Sequence, residues 1–411
     1  MKDSGISWVG EIPTNWIIGR IGGLYSLRNQ KVSDKDYEPL SVTMKGVLPQ
    51  LETAAKTNDG DNRKLVRKGD FAINSRSDRR GSCGIADRDG SVSLINTILK
   101  PRNQMNARYY NWLFHTPMFA DEFYKWGHGI VDDLWSTNWE EMKKIQIPVP
   151  SCAEQQRIAE FLDRACGKID GLKENIQSQI DTLEQYKRSI ITETVTHGLN
   201  PSAPMKDSGI NYISEHPIHW SLRRLKYILN ERNERSVTGT EELLSVSLYK
   251  GVIPSTEMTN RTMQADSLIG YKRVHKGDLV FNKLNPGMAR FGCSNYDGIT
   301  SPDFAVYIVN ENYCNAKFLQ YLLKTDFYVE KIKSVSMGVG DGFTRLYSNQ
   351  LYEFFVALPP RDEVSIIINY LDNKCAEIEQ IIADKKSQIE TLDGYKKSLI
   401  YEYVTGKKEV V

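Results

Sequence analysis

Met1-Lys2-Asp3-Ser4-Gly5-Ile6 returns unchanged as Met205-Lys206-Asp207-Ser208-Gly209-Ile210, and this repeat decides how the chain is organised. Both copies continue into a Glu-x-Pro-x-x-Trp pattern, from Glu11 to Trp16 and from Glu215 to Trp220. Late in each half, the stretch 178–183 (SQIDTL) returns at 387–392 as SQIETL. A period of about 205 residues is far too long for a solenoid unit. It indicates a duplicated domain with a duplicated connector, and a pseudo-symmetric molecule that reads something with two similar halves.

Composition sets broad limits. The 411 residues are enough for two or three domains, and 40% hydrophobic with 26% charged residues is ordinary for a soluble globular protein. We find no run of 18 apolar residues and no apolar signal core after Met1, so we expect neither a membrane span nor secretion. The six cysteines are scattered without a Cys-x-x-Cys pair, which fits a reducing cytoplasm. The net charge of +1 neither supports nor excludes nucleic acid.

We divide the chain into four segments: residues 1–150, 151–198, 199–360 and 361–411. The first segment is rich in short β-type runs and turn signals, including Lys68-Gly69-Asp70, with one helix expected from Ala107 to Tyr124. The third segment repeats this plan with a different sequence; Leu40-Ser41-Val42 is matched by Leu244-Ser245-Val246, and Val66 to Asp70 by Val274 to Asp278. We therefore expect an α+β protein with two pseudo-symmetric globular domains.

The second and fourth segments carry the pattern of a coiled coil. Apolar residues recur at steps of three and four, the spacing of an a/d seam. The seam of the first helix is Ile158, Leu162, Ala165, Ile169, Leu172, Ile176, Ile180, Leu183, Tyr186 and Ile190, and that of the second is Ile367, Leu371, Lys374, Ile378, Ile381, Lys385, Ile389, Leu392, Tyr395 and Leu399. Lys374 and Lys385 would weaken the seam but could fix its register.

Chain order predicts how these helices pair. The first helix leads away from the first globular domain, over roughly 60 Å at about 1.5 Å per residue, and the second starts from the second globular domain. To bury its apolar stripe, the second helix must run back along the first, giving a long antiparallel two-helix coiled coil. The alternative is that each helix packs on its own globular domain.

Motifs for catalysis are scarce. The sequence has no Gly-x-x-x-x-Gly-Lys-Ser/Thr loop for phosphates and no Asp/Asn-Pro-Pro-Tyr/Phe motif of amino-methyltransferases. The glycine cluster 338–342 is typical of a flexible turn. His216 and His219 are separated by Pro217, which spoils helical metal-ligand spacing, and His128 is a lone loop histidine. We therefore expect no catalytic residue, no metal site and no cofactor on this chain.

Two basic loops are better candidates. Each begins with an asparagine after an apolar run, at the same place in each half. Arginine and asparagine read base edges, and arginine and lysine bind phosphates. The candidate DNA-binding residues are Asn74, Arg76, Arg79 and Arg80 in the first half and Asn282, Lys283, Asn285 and Arg290 in the second. The alternative is a solvated loop in which Asp78 pairs with Arg76 or Arg79; Lys45, Lys250 or Arg345 could serve instead as the DNA-binding cations.

These features together resemble the specificity subunits of type I restriction-modification systems, over essentially the whole chain. The resemblance is carried by Ser4-Gly5-Ile6 with Glu11 to Trp16, its copy at 208–220, the Lys-Gly-Asp strands, and Pro148-x-Pro150 with Glu154-Gln155-Gln156 before the long helix. The second copy departs from the pattern, because Glu363 is followed by Val364-Ser365.

The resemblance implies a non-catalytic subunit with two target-recognition domains, each reading half of a split site in double-stranded DNA. It implies two methylation subunits that use S-adenosylmethionine and restriction subunits that use ATP as partners, in the cytoplasm and away from membranes. Two other hypotheses stay open: a non-enzymatic coiled-coil adaptor whose globular domains bind protein, and an enzyme acting on DNA. Steep weakening of binding with salt would favour DNA over the adaptor.

The predicted coiled coil would act as a ruler between half-sites whose centres lie about 10 base pairs apart. Inserting four residues into both helices, within 173–181 and within 383–390, adds about one helical turn, roughly 6 Å, and nearly preserves the seam. We expect a gap longer by about one or two base pairs and unchanged half-site sequences, measured by methylation mapping. An unchanged gap would show that the helices do not set the spacing.

Overall fold

The computed structural model describes residues 1–50, 60–76, 79–102, 105–129, 135–247, 251–258, 267–338 and 343–410. The chain divides into two compact units. Unit 1 is Met1–Gln177 with Lys386–Val411, and unit 2 is Ser178–Lys385. Each unit combines one globular segment with parts of both long helices, and the four-segment division stays a prediction.

Unit 1 is built from short strands and helices, all antiparallel where strands pair. Its strands are β1 (Lys2–Asp3), β2 (Glu11–Ile12), β3 (Ile17–Arg20), β4 (Tyr25–Arg28), β5 (Lys31–Val32), β6 (Leu40–Thr43), β7 (Gly46–Pro49), β8 (Arg63–Val66), β9 (Phe71–Asn74), β10 (Cys83–Ile85), β11 (Gly90–Val92), β12 (Asn96–Pro101) and β13 (Gln146–Val149). Its helices are α1 (Ile21–Leu24), α2 (Ala107–Phe114), α3 (Pro117–Lys125), α4 (Trp139–Met142) and the first part of α5 (Cys152–His197).

Unit 2 follows the same order of elements. Its strands are β14 (Met205–Ile210), β15 (Ile213–Pro217), β16 (Ser221–Arg224), β17 (Leu229–Glu231), β18 (Leu244–Ser247), β19 (Gly251–Pro254), β20 (Lys272–Val274), β21 (Leu279–Asn282), β22 (Phe291–Cys293), β23 (Gly298–Thr300), β24 (Phe304–Val309), β25 (Met337–Gly338), β26 (Thr344–Arg345) and β27 (Phe355–Leu358). Its helices are the last part of α5, α6 (Ala316–Leu323), α7 (Asp326–Val335), α8 (Ser348–Tyr352) and the first part of α9 (Arg361–Val404). The last part of α9 belongs to unit 1.

A four-stranded antiparallel sheet forms the centre of each unit. Its strand order is β10-β9-β12-β4 in unit 1 and β22-β21-β24-β17 in unit 2, which are equivalent arrangements. One core in each unit lies between this sheet, the helix pair that follows it and the long helices. The duplication predicted from the sequence is therefore a duplication of fold, and the α+β class is confirmed.

The repeated Lys-Gly-Asp landmark is a turn held by a buried aspartate. Asp70 and Asp278 are 2% and 3% exposed, and each accepts a backbone N–H three residues earlier, at 2.9 and 2.8 Å. Each also receives two hydrogen bonds from an arginine at the end of an edge strand of the sheet: Arg28, the last residue of β4, and Arg232, directly after β17. The sequence landmark is thus explained by a buried ion pair that ties the turn to the sheet.

The single helix expected from Ala107 to Tyr124 is wrong; the structure has α2 and α3 instead. Thr116 breaks the helix because its hydroxyl accepts the N–H of Phe119 at 3.3 Å as an N-cap, with Pro117 in the first helical turn. Proline lacks the N–H that a continuous helix requires.

Each long helix begins by binding a repeated tryptophan. Glu154 accepts the indole N–H of Trp16 and Glu363 that of Trp220, both at 3.2 Å. The sequence difference after Glu363, where Val364 stands in place of a glutamine, is explained by the surroundings of the two positions. Gln155 is buried and hydrogen-bonds three groups around it, whereas Val364 in the equivalent place is buried in an apolar core.

The two long helices run antiparallel within each unit. In unit 1, Asp170 pairs with Lys396 at 2.7 Å and Lys173 pairs with Asp393, so ascending positions on α5 meet descending positions on α9. In unit 2, Lys187 pairs with Glu379 in the same sense. The predicted antiparallel pairing is confirmed within each unit, although both helices also pack on the globular cores, as the alternative held.

The predicted seam is only partly correct. Leu172, Tyr186, Ile381 and Tyr395 were assigned to it, but they are 55%, 56%, 44% and 56% exposed. Cys166, Cys375, Ile382 and Ile400, outside the predicted seam, are buried instead. A helix of 3.6 residues per turn drifts from a strict heptad, which carries these positions off the contact line.

Lys374 and Lys385 are the two polar residues of the predicted seam. Lys385 hydrogen-bonds Gln179 of the facing helix at 2.5 Å, as a register contact would. Lys374 pairs with Glu377 of its own helix, and its role in the register stays a prediction. In the described ranges, we find no helix that is long and apolar enough to cross a membrane.

The Arg232–Asp278 pair should contribute strongly to stability. Asp278→Ala leaves a largely buried guanidinium with only the longer contact to Glu234 at 3.6 Å, which should lower the free energy of unfolding by about 3–5 kcal/mol. The matched control is Glu330→Ala, which removes the exposed partner of Lys333 in the same unit and should cost at most about 1 kcal/mol. Urea denaturation of both variants measures the difference. Equal losses would show that the buried pair has no special role.

Candidate nucleic-acid interface

The first interface segment in each unit is the loop that begins with the predicted asparagine. We call it the Asn loop: residues 74–76 with 79–82 in unit 1, and 282–290 in unit 2. The side-chain oxygen of Asn74 accepts the N–H of Arg76 at 3.0 Å, and that of Asn282 accepts the N–H of Leu284 at 2.9 Å. The backbone N–H of each asparagine closes the loop on the returning chain, at Ser82 and Arg290. The same hydrogen bonds therefore shape both loops.

The side-chain oxygens of the three asparagines hold the backbone of the loops. Asn74 is 6% exposed, and the side-chain oxygens of Asn74 and Asn282 are taken by the turns. Asn285 adopts the left-handed conformation at φ 48°, and its side-chain oxygen accepts the N–H of Thr344 at 3.1 Å. Asparagine tolerates this conformation better than most residues. Base reading by these three residues stays a prediction, and the structure shows their part in loop geometry.

The predicted cations of unit 1 differ in what surrounds them. Arg76 is exposed, and the described part of the chain provides no ion pair for its guanidinium. Arg79 is also exposed. Arg80 pairs with Asp121 at 2.8 Å and lies over the ring of Tyr124 at 5.4 Å. Arg76 is thus the cation most available to a ligand. Asp78, the expected partner in the solvated-loop alternative, lies outside the described residues.

In unit 2, Arg290 is exposed and Lys283 is half-buried. Neither side chain has an ion-pair partner within the described ranges. Burial, and then the charge of nearby Lys272, hold the pKa of Lys283 below its usual value. A cation in such surroundings gains more from an approaching anion than a fully solvated one does.

Sequence reasoning missed a second segment beside each Asn loop. We call it the facing hairpin: residues 128–129 with 135–136 in unit 1, and 337–338 with 343–345 in unit 2. Bridges join Arg76 to Ser136 and Leu284 to Arg345. The glycines at 127–129 and 338–342 were the available signal, because they recur at matching places in the two halves. Residues 130–134 and 339–342 lie outside the described residues, including most of the glycine cluster predicted to be a flexible turn.

The remaining candidates are scattered. Lys45 is exposed at the β6–β7 turn, Arg345 lies in the facing hairpin, and Lys250 falls outside the described residues.

The histidines do not form a site. His128 is exposed in the facing hairpin. His216 is buried with Nδ1 at 2.8 Å from the carbonyl oxygen of Pro217, while His219 contacts Glu363 at 2.8 Å. In the described ranges, no three histidine, cysteine, aspartate or glutamate side chains are grouped to hold a metal ion.

Comparison with known proteins shows what this chain is similar to. Residues 13–182 match the family model of the type I restriction modification DNA specificity domain. A curated protein similar to this chain is the putative type I restriction enzyme MjaX specificity subunit of Methanocaldococcus jannaschii, 25% identical over 291 residues. That match covers 67% of this chain and 62% of the relative, so it spans less than two thirds of the relative's length.

Solved structures show the same fold. One chain comes from a study of complex assembly and conformational transition of the type I R-M system; it has a TM-score of 0.71 and 13% identity, over 97% of this chain and 100% of that one. The HsdS subunit from Thermoanaerobacter tengcongensis has a TM-score of 0.52 and 12% identity, over 99% of this chain and 100% of that one. Residues 13–182 of this chain are therefore similar to a type I restriction modification DNA specificity domain, and the chain as a whole shares the fold of these two solved structures.

Proposed function

We propose that this chain reads a bipartite DNA site and serves as the scaffold for methylation and restriction subunits. One observation carries the proposal: two units of the same fold present the same Asn loop and facing hairpin, with different side chains on them. A protein that reads two different half-sites needs one frame used twice and two sets of contacts. DNA recognition is also what the matching domain family is described by.

The exposed cations give the proposal its chemistry. Arg76 in unit 1 and Arg290 in unit 2 stand at the ends of their Asn loops with no ion pair in the described part of the chain. Arginine binds phosphates through a planar fork of donors. It recognises guanine by hydrogen-bonding the two acceptor atoms on the major-groove edge of that base. Each unit would therefore bring at least one available arginine to its half-site.

Catalysis would belong to the partners. S-adenosylmethionine would bind to methylation subunits and ATP to restriction subunits, while this chain supplies position and sequence choice. The complex would work in the cytoplasm, where its DNA lies. Support comes from the family, whose relative is described as a specificity subunit.

Two equal methylation subunits would need two equal surfaces, and the long helices offer them. Leu172 and Ile381 occupy equivalent positions on α5 and α9, and so do Tyr186 and Tyr395. All four are large, apolar or aromatic, and at least 44% exposed. In unit 1, Leu172 and Tyr395 lie at the level of the Asp170–Lys396 pair. Exposed apolar side chains at matched places support docking of two copies of one partner.

The second candidate function is the coiled-coil adaptor, favoured by the same exposed helix residues. The salt dependence of binding distinguishes the two functions. For binding through DNA phosphates, the logarithm of the binding constant falls steeply and linearly with the logarithm of the salt concentration, whereas an apolar protein contact does not show this fall.

The exposed loop arginines should be needed for DNA binding. We expect Arg76→Ala and Arg290→Ala each to weaken binding by about 1–3 kcal/mol and, where the arginine reads a base, to relax specificity in one half-site only. Adding Arg79→Ala and Arg80→Ala in unit 1, or Lys283→Ala in unit 2, should deepen the loss. Binding is measured by fluorescence anisotropy on a methylation-mapped site.

The matched control is Lys397→Ala, an exposed cation of α9 away from the Asn loops. It should leave binding unchanged. If the control weakens DNA binding as much as Arg76→Ala and Arg290→Ala, the assignment of the Asn loops is wrong.

The helix surfaces should set the number of methylation subunits. Leu172→Ser with Tyr395→Ser removes the exposed apolar pair of unit 1, and Tyr186→Ser with Ile381→Ser removes that of unit 2. Each double variant should bind one methylation subunit instead of two, and the quadruple variant none, by native mass spectrometry. Tyr227→Ser with Ile269→Ser removes equally exposed residues elsewhere and should keep two. Full assembly of the quadruple variant would contradict this docking surface.

A further inference from the structure

Three positive side chains lie together beside the Asn loop of unit 2: Lys272, Lys283 and Arg345. The N–H of Leu346 donates to the carbonyl oxygen of Lys283 at 3.0 Å, and Leu284 bridges Arg345. Lys283 in the Asn loop and Arg345 in the facing hairpin are therefore on adjoining segments of backbone. The charges of Lys272, Arg345, Glu231 and Asp303 all act on Lys283.

The nearby carboxylates do not balance these cations. Glu231 is committed to Lys272, which contacts it at 2.9 Å and is itself 4% exposed. Glu231 also accepts the hydroxyl of Ser348 at 2.6 Å. Asp303 is 3.7 Å from the guanidinium of Arg345, a long ion pair. Lys283 has no ion-pair partner among the residues that the structure describes.

Arg345 has an unused donor. Its Nε is buried and has no hydrogen-bond partner among the described residues, while the guanidinium lies over the ring of Tyr347 at 5.6 Å. A buried N–H without an acceptor is unfavourable, and an acceptor that reaches it gains accordingly. An anion with several oxygen atoms could meet Nε, a terminal nitrogen of the same guanidinium, and the ammonium of Lys283.

Unit 1 keeps one of these cations, because Lys64 occupies the place of Lys272, and lacks the other two. The shared turn and bridge place Ser75 where unit 2 has Lys283, and Ser136 where it has Arg345. Ser75 hydrogen-bonds Thr97 at 2.9 Å, and Ser136 pairs through its backbone with His128. The cation cluster is thus a property of unit 2 and not of the repeated fold.

We propose that Lys283 and Arg345 form a clamp for a DNA backbone phosphate at the half-site read by unit 2, without a counterpart in unit 1. The inference rests on the proposed function, since it assigns a role within the same interface. Arginine offers a fork of donors to phosphate oxygens, and lysine adds a point charge. Lys272 is buried and paired with Glu231, so it lies beneath the clamp and does not contact the phosphate itself. The clamp fixes how DNA lies on unit 2 and carries no sequence information of its own.

The test uses the complete complex with its methylation subunits and a DNA duplex carrying the methylation-mapped site. Lys283→Ser and Arg345→Ser install the residues that unit 1 carries at these places, so the fold should accept them. Dissociation constants are measured from low to moderate salt for this duplex and for one with the second half-site scrambled. Each variant should lower the slope of log affinity against log salt by about 0.9, the value for one phosphate contact. The affinity loss should be the same on both duplexes, and the methylated adenines should not change.

Charge-conserving variants guard against a folding artefact. Lys283→Arg and Arg345→Lys keep the positive charges and should keep most of the salt slope. Unchanged slopes in both serine variants would overturn the clamp. So would a loss confined to the intact second half-site, because it would make these residues base readers. If the wild-type complex shows no salt-dependent DNA binding at all, the proposed function fails and the clamp fails with it.

Discussion

Burial of the apolar side of the long helices is the constraint on which the rest of the structure depends. In each unit, one helix enters the globular core at its start and the other helix returns along it at its end. Unit 1 shows this clearly, since Ile158, Leu162 and Ile169 of α5 share a core with Leu399 and Val404 of α9. Unit 1 completes its core with the last part of α9, which lies more than 200 residues further along the chain, whereas unit 2 is one continuous stretch, Ser178–Lys385.

Equivalent polar contacts fix each globular part on its helix, although the side chains differ. Asp163 of α5 accepts hydrogen bonds from Arg108 and Trp112 of α2, each at 2.8 Å. Asp372, at the equivalent position of α9, accepts bonds from Lys317 and Tyr321 of α6 at 2.6 and 2.8 Å. The carboxylate is kept and its donors vary. Because the contact with the helix is kept while the donor side chains change, the globular parts can diverge in sequence and keep their positions on the helices.

Divergence of the loops has a physical basis in how they are closed. The Asn loops are held by backbone hydrogen bonds and one asparagine oxygen, so side chains at the neighbouring positions are free to change. Ser75 and Lys283 illustrate this freedom, since they follow equivalent asparagines and differ in charge. The same loop geometry can therefore present neutral hydroxyls in one unit and cations in the other.

The sequence by itself determined the duplication, the α+β class, the two long helices and their antiparallel sense. Identical hexapeptides, matched Lys-Gly-Asp turns and apolar spacing are local or periodic, and chain order leaves few ways to bury the stripes. It also led to both Asn loops. It failed where the outcome depends on contacts distant in sequence: Leu172 and Tyr186 proved exposed, and the helix expected from Ala107 to Tyr124 proved to be two.

Only the tertiary structure decided which residues meet. It placed the facing hairpins beside the Asn loops, brought the side-chain oxygen of Asn285 to the N–H of Thr344, and left Arg345 Nε without an acceptor among the described residues. Hydrogen-bond partners and charge neighbours some sixty residues apart along the chain are set by how strands register and pack, and that information is not carried by spacing or composition.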